Sequence, residues 1–227
     1  MSRAAPAPIA APLPLDPAAR VLRRRQVNGM LIAGIAIIVL VALIGYVGPF
    51  LVDIRLADVG AAIPGLPPSW EHPLGTEVQG RDVLALLVLG TPQTLKIGLI
   101  AGVVGLAVGV VLGLASGYFG GWTDTVIRLV TDVFLTIPTL AILIVVASMV
   151  RVLSIEGMAL IVASLAWMGP TRTIRSQMLT LRERRYVQLA RLSGMSHFEI
   201  IFTEIMPNLI PFIAATLVLS VSTGILA

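Results

Sequence analysis

The chain has 227 residues, of which 57% are hydrophobic and 12% charged, about half the charged share of an ordinary soluble domain. That much apolar surface excludes a water-soluble fold and makes the bilayer the natural solvent. With no cysteine and two histidines, His72 and His197, the composition argues against disulfides, thiolate chemistry and a histidine metal centre. The net charge of +4 reads as membrane topology rather than nucleic-acid binding, because the basic residues flank apolar runs.

In chain order, residues 1–25 are rich in Ala and Pro and read as a disordered cytoplasmic tail. Arg23, Arg24 and Arg25 precede the first uncharged run, 29–52. It is longer than a signal-peptide core and ends in Gly45-Tyr46-Val47-Gly48-Pro49, a poor cleavage site. Residues 26–52 are therefore expected to be an uncleaved anchor helix. Residues 53–93 are expected to form an extracytoplasmic segment, its first part kept irregular by Pro64, Pro67, Pro68 and Pro73.

Four further uncharged runs cover 97–123, 133–150, 157–171 and 205–227. A spanning helix needs about 20 apolar residues. The 97–123 and 205–227 runs meet that length; 133–150 requires a helix starting near Thr125, and 157–171 a helix continuing to about Leu179. Continuity without period-two alternation favours helices over barrel strands. The expected fold is all-α and polytopic, with five transmembrane helices.

Within 97–123, Gly105, Gly109, Gly113 and Gly117 repeat every four residues, a pattern for close helix packing. Asp124, Arg128 and Asp132 share one helix face and read as a structural charge ladder, the arginine neutralising both aspartates; a proton relay is the sharper alternative. Pro138 is expected to bend that helix. With the N-terminus in the cytoplasm, the inner segments hold twelve of the sixteen basic residues; Arg55, Arg81, Lys96 and Arg151 lie outside or near it.

The stretch 172–204 breaks the apolar pattern with Arg175, Arg182, Glu183, Arg184, Arg185, Arg191, Glu199 and Glu204. It reads as a short amphipathic helix, a break at Gly194, and a second short helix entering the membrane near Pro207. Such a helix either lies on lipid or docks a soluble partner.

Tyr186-Val187-Gln188-Leu189-Ala190-Arg191-Leu192-Ser193-Gly194, followed by Ile205-Met206-Pro207-Asn208, resembles the EAA loop of ABC importer permeases. Gln188, Leu189 and Met206 depart from the usual Glu, Ala and Leu. His72-Pro73-Leu74-Gly75-Thr76, Gly80-Arg81-Asp82-Val83-Leu84 and Gly117-Tyr118-Phe119-Gly120-Gly121-Trp122 are similar to the dipeptide/oligopeptide/nickel permeases, closest to the C-type of their two paired subunits. Asp132, Pro138, Arg172, Arg175 and Leu181-Arg182-Glu183-Arg184 continue the resemblance.

The resemblance implies a permease core domain over 94–227 with a cytoplasmic coupling loop over 180–204, and a sixth helix that this chain, ending at Ala227, does not contain. It implies an inner-membrane importer subunit for peptides or similar small solutes. The implied partners are a second permease subunit, cytoplasmic ATPase subunits, an extracytoplasmic solute-binding protein and the lipid bilayer. Arg184, Tyr186, Gln188, Leu189, Ala190, Arg191, Gly194, Met195, Ser196 and Pro207 are the expected ATPase-coupling residues, the small Ala190 and Gly194 permitting close approach. No catalytic residue, metal or cofactor is expected: a P-loop needs Gly-Lys-Ser/Thr, and the single lysine, Lys96, follows Leu95. The rivals are an ion-coupled secondary transporter and a non-transporting assembly subunit.

Overall fold

A computed structural model of the chain describes residues 29–149 and 154–226. The 1–25 tail with its arginines, and Arg151, lie outside the described residues. The chain divides into two compact units, Met1–Leu43 and Ile44–Ala227. The described part of the first is an apolar helical stretch with exposed side chains such as Met30, Ile38 and Leu40. It belongs to α1, Gly29–Val47.

In the second unit a loop precedes α2, Val83–Phe119. The longer helices that follow are α3 (Gly121–Thr136), α4 (Thr139–Met149), α5 (Ile155–Ala166), α6 (Met168–Leu181), α7 (Arg185–Leu192) and α8 (Met206–Leu226). The fold is all-α; the described residues hold a single isolated β-bridge, Thr76 to Asp82.

Helix α2 starts at Val83, ten residues earlier than the expected end of the extracytoplasmic segment at 93. Asp82 sets the boundary, accepting a hydrogen bond from the Ala85 N–H at 2.8 Å as N-cap. Its other carboxylate oxygen meets His72 Nδ1 at 2.7 Å. Thr76 ties the loop further: its hydroxyl donates to the Ile63 carbonyl at 2.6 Å and accepts from the Leu66 N–H at 2.8 Å. Gly75 (φ +75°) has the Leu66 carbonyl 2.5 Å from where a Cβ would stand. His72, Gly75, Thr76 and Asp82 thus fold the loop onto the start of α2. Pro92 lies inside that helix, and Gly45 packs against its ring, an added Cβ lying 3.1 Å from Pro92 Cδ.

At 37 residues, α2 is about 55 Å long, well over the ~30 Å of a bilayer core. Its glycine ladder is a packing seam. A Cβ on Gly105 would stand 2.6 Å from Ala166 Cβ, on Gly109 2.5 Å from Pro170 Cβ, on Gly113 2.8 Å from Ile174 Cβ and on Gly117 2.6 Å from Met178 Cβ. Each step of four on α2 meets a step of four from the last residue of α5 along α6, so α2 and α6 run parallel. Gly98 and Gly102 meet Ile225 and Val221 respectively, so α8 runs antiparallel to α2. Buried hydroxyls along these helices bond back to their own backbone: Thr131 to Ile127, Thr171 to Trp167 and Thr216 to Phe212, at 2.7–2.8 Å.

Among the described residues, three helical stretches are long and apolar enough to cross a membrane: Gly29–Phe50, Val83–Phe119 and His197–Leu226. A fourth results if the bent pair Gly121–Thr136 and Thr139–Val146 counts as one. The expected five are thus not reached on length and apolarity. The 157–171 run falls short because α5 ends at Ala166 and α6 carries Arg172 and Arg175, although Trp167 between them keeps helical dihedrals (φ −77°, ψ −21°). Pro138 acts as its chemistry requires. Ile137 before it is extended (ψ 124°), and the helix turns by 74° there.

Candidate coupling surface

The C-terminal ends of α2 and α6 and the start of α8 meet at one end of the bundle, and α7 lies across them. Arg182 Nη1 donates to the Gly117 carbonyl at 2.8 Å, placing a cation at the carbonyl end of α2. Arg184 is extended (ψ 145°) as N-cap of α7. Val187 and Ala190, one turn apart, are buried on its inner side. They join Leu114, Tyr118, Ile174, Met178, Ile200, Ile201, Ile205 and Leu209 in one core. Tyr186 and Met195 pack half-buried against it.

The outer side is exposed and mixed. Leu189 is 63% and Leu192 85% exposed, beside exposed Arg185, Gln188 and Arg191. Ending the helix, Gly194 adopts φ +79°, a left-handed conformation that favours glycine. Ser196 and Glu199 form a reciprocal capping box, with Glu199 N–H to Ser196 Oγ at 3.2 Å and Ser196 N–H to Glu199 Oε2 at 3.0 Å. A π-helical stretch, Ile200–Ile205, follows; exposed Pro207, which has no N–H to donate, is the second residue of α8, after Met206.

An aromatic latch holds this loop to α2. Buried Tyr118 shares a hydrogen bond with His197 Nδ1 at 3.0 Å, and the Arg191 guanidinium sits 5.3 Å from the Tyr118 ring centre. Phe119 packs edge-on against Tyr118 at 5.2 Å. Neither Tyr118 nor His197 is among the expected coupling residues. The available signal was the position of Tyr118 in the Gly-Tyr-Phe-Gly-Gly run and the rarity of histidine.

The ten expected residues therefore divide. Arg184, Gln188, Leu189, Arg191, Gly194, Ser196 and Pro207 are exposed; Tyr186 and Met195 are half-buried; Ala190 is 7% exposed. Ala190 is small because its own core is tight, and it does not offer itself to a partner. Gly194 has open space around its missing Cβ, so backbone conformation, not close approach, requires glycine there.

The three charges on α3 also pair differently from the expected ladder. Asp124 takes a bidentate pair from Arg175 on α6, Nε at 2.5 Å and Nη2 at 2.6 Å, and a hydrogen bond from Ser116. Asp132 pairs with Arg172, also on α6. Arg128 has no ion pair among the described residues. Guanidiniums facing across the α3–α6 seam hold the two carboxylates, rather than the arginine between them.

Residues 109–227 match the family described as "Binding-protein-dependent transport system inner membrane component". The chain belongs to that family. It is 30% identical over 208 residues to the oligopeptide transport system permease protein OppC of Mycobacterium tuberculosis, covering 91% of this chain and 72% of that protein. The dipeptide transport system permease protein DppC of Haemophilus influenzae is 31% identical over 208 residues, covering 89% and 70%. OppC of Lactococcus lactis subsp. cremoris is 34% identical over 176 residues, covering 78% and 57%. The permease is accordingly a multi-pass inner-membrane subunit of an ABC importer. ATP hydrolysis belongs to separate ATPase subunits, and solute is delivered by a binding protein.

Proposed function

We propose that this permease forms part of the translocation path for peptides or similar small solutes, paired with a second permease subunit, and that the outer side of α7 docks a cytoplasmic ATPase. One observation carries the docking assignment. Leu189 and Leu192 stand 63% and 85% exposed beside arginines, while the opposite side of the same short helix is locked into the core. An exposed apolar pair within a charged surface is the form of a protein contact. The peptide class rests on the relatives' names.

The N-terminus and the α7 loop lie in the cytoplasm and the 53–82 loop outside, in keeping with the basic-residue asymmetry. The chain crosses five times, by α1, by α2, by α3 with α4, by α5 with α6, and by α8. The parallel run of α2 and α6, and the antiparallel run of α8, agree with that alternation. The permease core then begins at Val83. The arginine-capped end of α2 with the latch at Tyr118, and the π-helical entry to α8, give the docked ATPase one route into the membrane along α2 and another along α8.

The test is uptake of a labelled dipeptide into proteoliposomes holding the purified complex with its binding protein. Uptake is expected with ATP and absent with an ion gradient alone. Gradient-driven uptake without ATP would return the chain to the ion-coupled class.

A further inference from the structure

A cavity of about 320 Å³ opens between α3 and α6, lined by Arg128, Asp132, Arg172 and Arg175 together with Ile127, Thr131 and Thr171. Asp124 occupies Arg175 and Asp132 occupies Arg172, so three guanidiniums face two carboxylates. One positive charge is left over, on Arg128, which makes no side-chain hydrogen bond or ion pair among the described residues. The two threonine hydroxyls donate to their own helix backbones, and Arg175 and Arg172 spend donors on Asp124 and Asp132, so the cavity's free donors are chiefly the five N–H groups of Arg128.

Arg128 lies seven residues into α3, about 10 Å along its axis, at the charged end of the bundle. Two turns along the same face of α3 Leu135 is exposed, as are Leu129, Val133 and Phe134 around the rest of the helix and Trp122 at its start, as is usual of tryptophan at a membrane interface. A small cationic recess on a helix with exposed apolar side chains matches a molecule with an anionic head and hydrocarbon tails. Basic pockets between helices on the inner side of a membrane recognise phospholipid headgroups in this way.

We infer that the Arg128 cavity binds the phosphate of an anionic phospholipid, with the acyl chains along the exposed side of α3. Arg128 supplies the charge-assisted contact, and the Arg172–Asp132 and Arg175–Asp124 pairs hold the recess open without cancelling its charge. The inference needs only that the chain is embedded in a bilayer and is independent of the coupling assignment.

The test is thermal unfolding of the purified complex in detergent, titrated with phosphatidylglycerol or with phosphatidylcholine of the same chains. Phosphatidylglycerol is expected to raise the unfolding temperature more than phosphatidylcholine. Arg128→Gln should raise the half-saturating phosphatidylglycerol concentration roughly tenfold, while Arg128→Lys, keeping the charge, should retain most of the response and shows that the position tolerates change. A parallel arm adds soluble anions, glycerol 3-phosphate and a dipeptide, which should not reproduce the protection. An unchanged phosphatidylglycerol response in Arg128→Gln would overturn the site. So would equal protection by the two lipids, whereas full protection by a soluble anion would show that the recess takes solute and not lipid.

Discussion

Replacing Arg175 with leucine separates interhelical pairing from a charge ladder confined to α3. Arg175 makes two charge-assisted hydrogen bonds to Asp124, at 2.5 and 2.6 Å, and the side chains are 23% and 18% exposed respectively. Breaking a fully buried pair costs about 3–5 kcal/mol and an exposed one under about 1 kcal/mol. Ser116 still donates to Asp124, which softens the loss. Arg175→Leu should therefore destabilise the permease by about 2–3 kcal/mol, a roughly 30- to 150-fold change in its unfolding equilibrium. Arg128→Leu, which removes no ion pair among the described residues, should stay within about 0.5 kcal/mol in detergent without added anionic lipid. Denaturation of the purified proteins measures both. The double-mutant cycle of Asp124→Asn with Arg175→Gln should return a coupling of at least about 1 kcal/mol. If Arg128→Leu proves as damaging as Arg175→Leu and the cycle shows no coupling, the α3–α6 pairing does not hold these charges.

The glycine seam predicts a position-specific penalty. A side chain at Gly109 meets Pro170 Cβ at 2.5 Å, the Thr171 nitrogen at 3.0 Å and the Trp167 carbonyl at 3.1 Å. Gly109→Val should cost about 2 kcal/mol or more and lower the purified yield, while Gly90→Ala, with nothing within 4 Å, should be neutral or gain up to about 1 kcal/mol. At the other end of α2, Asp82→Ala removes both the helix cap and the partner of His72. It should cost about 1–2 kcal/mol and speed proteolysis between residues 60 and 82, with Asp82→Asn milder.

The apolar runs, the break at Pro138 and the packing role of the glycines were legible because each follows from local spacing or from one residue's backbone chemistry. What was not legible depends on residues distant in sequence. Asp124 and Asp132 find arginines 51 and 40 positions away, while i, i+4 spacing displays only Arg128. The early start of α2 rests on contacts between distant residues: Asp82 caps the helix while holding His72, and Gly45 packs on Pro92 inside it. In the α7 loop the amphipathic pattern was clear, but which side faces inward was not. Ala190 has the size for a partner contact, yet Ile200, Ile205 and Met178 already surround that side of α7. His197 signalled itself only by the rarity of histidine, since its hydroxyl partner lies 79 residues earlier.

Docking of the ATPase on the outer side of α7 is decided by Leu189→Asp combined with Leu192→Asp, both exposed and both outside the core that holds Val187 and Ala190. Membrane level and unfolding temperature should stay near wild type, whereas Ala190→Trp, driven into that core, should lower both. ATPase co-purification and solute-stimulated hydrolysis should fall at least roughly tenfold in the double variant, because two apolar contacts become desolvated charges. Full ATPase retention with normal stimulation would contradict the assignment of α7 as the coupling element.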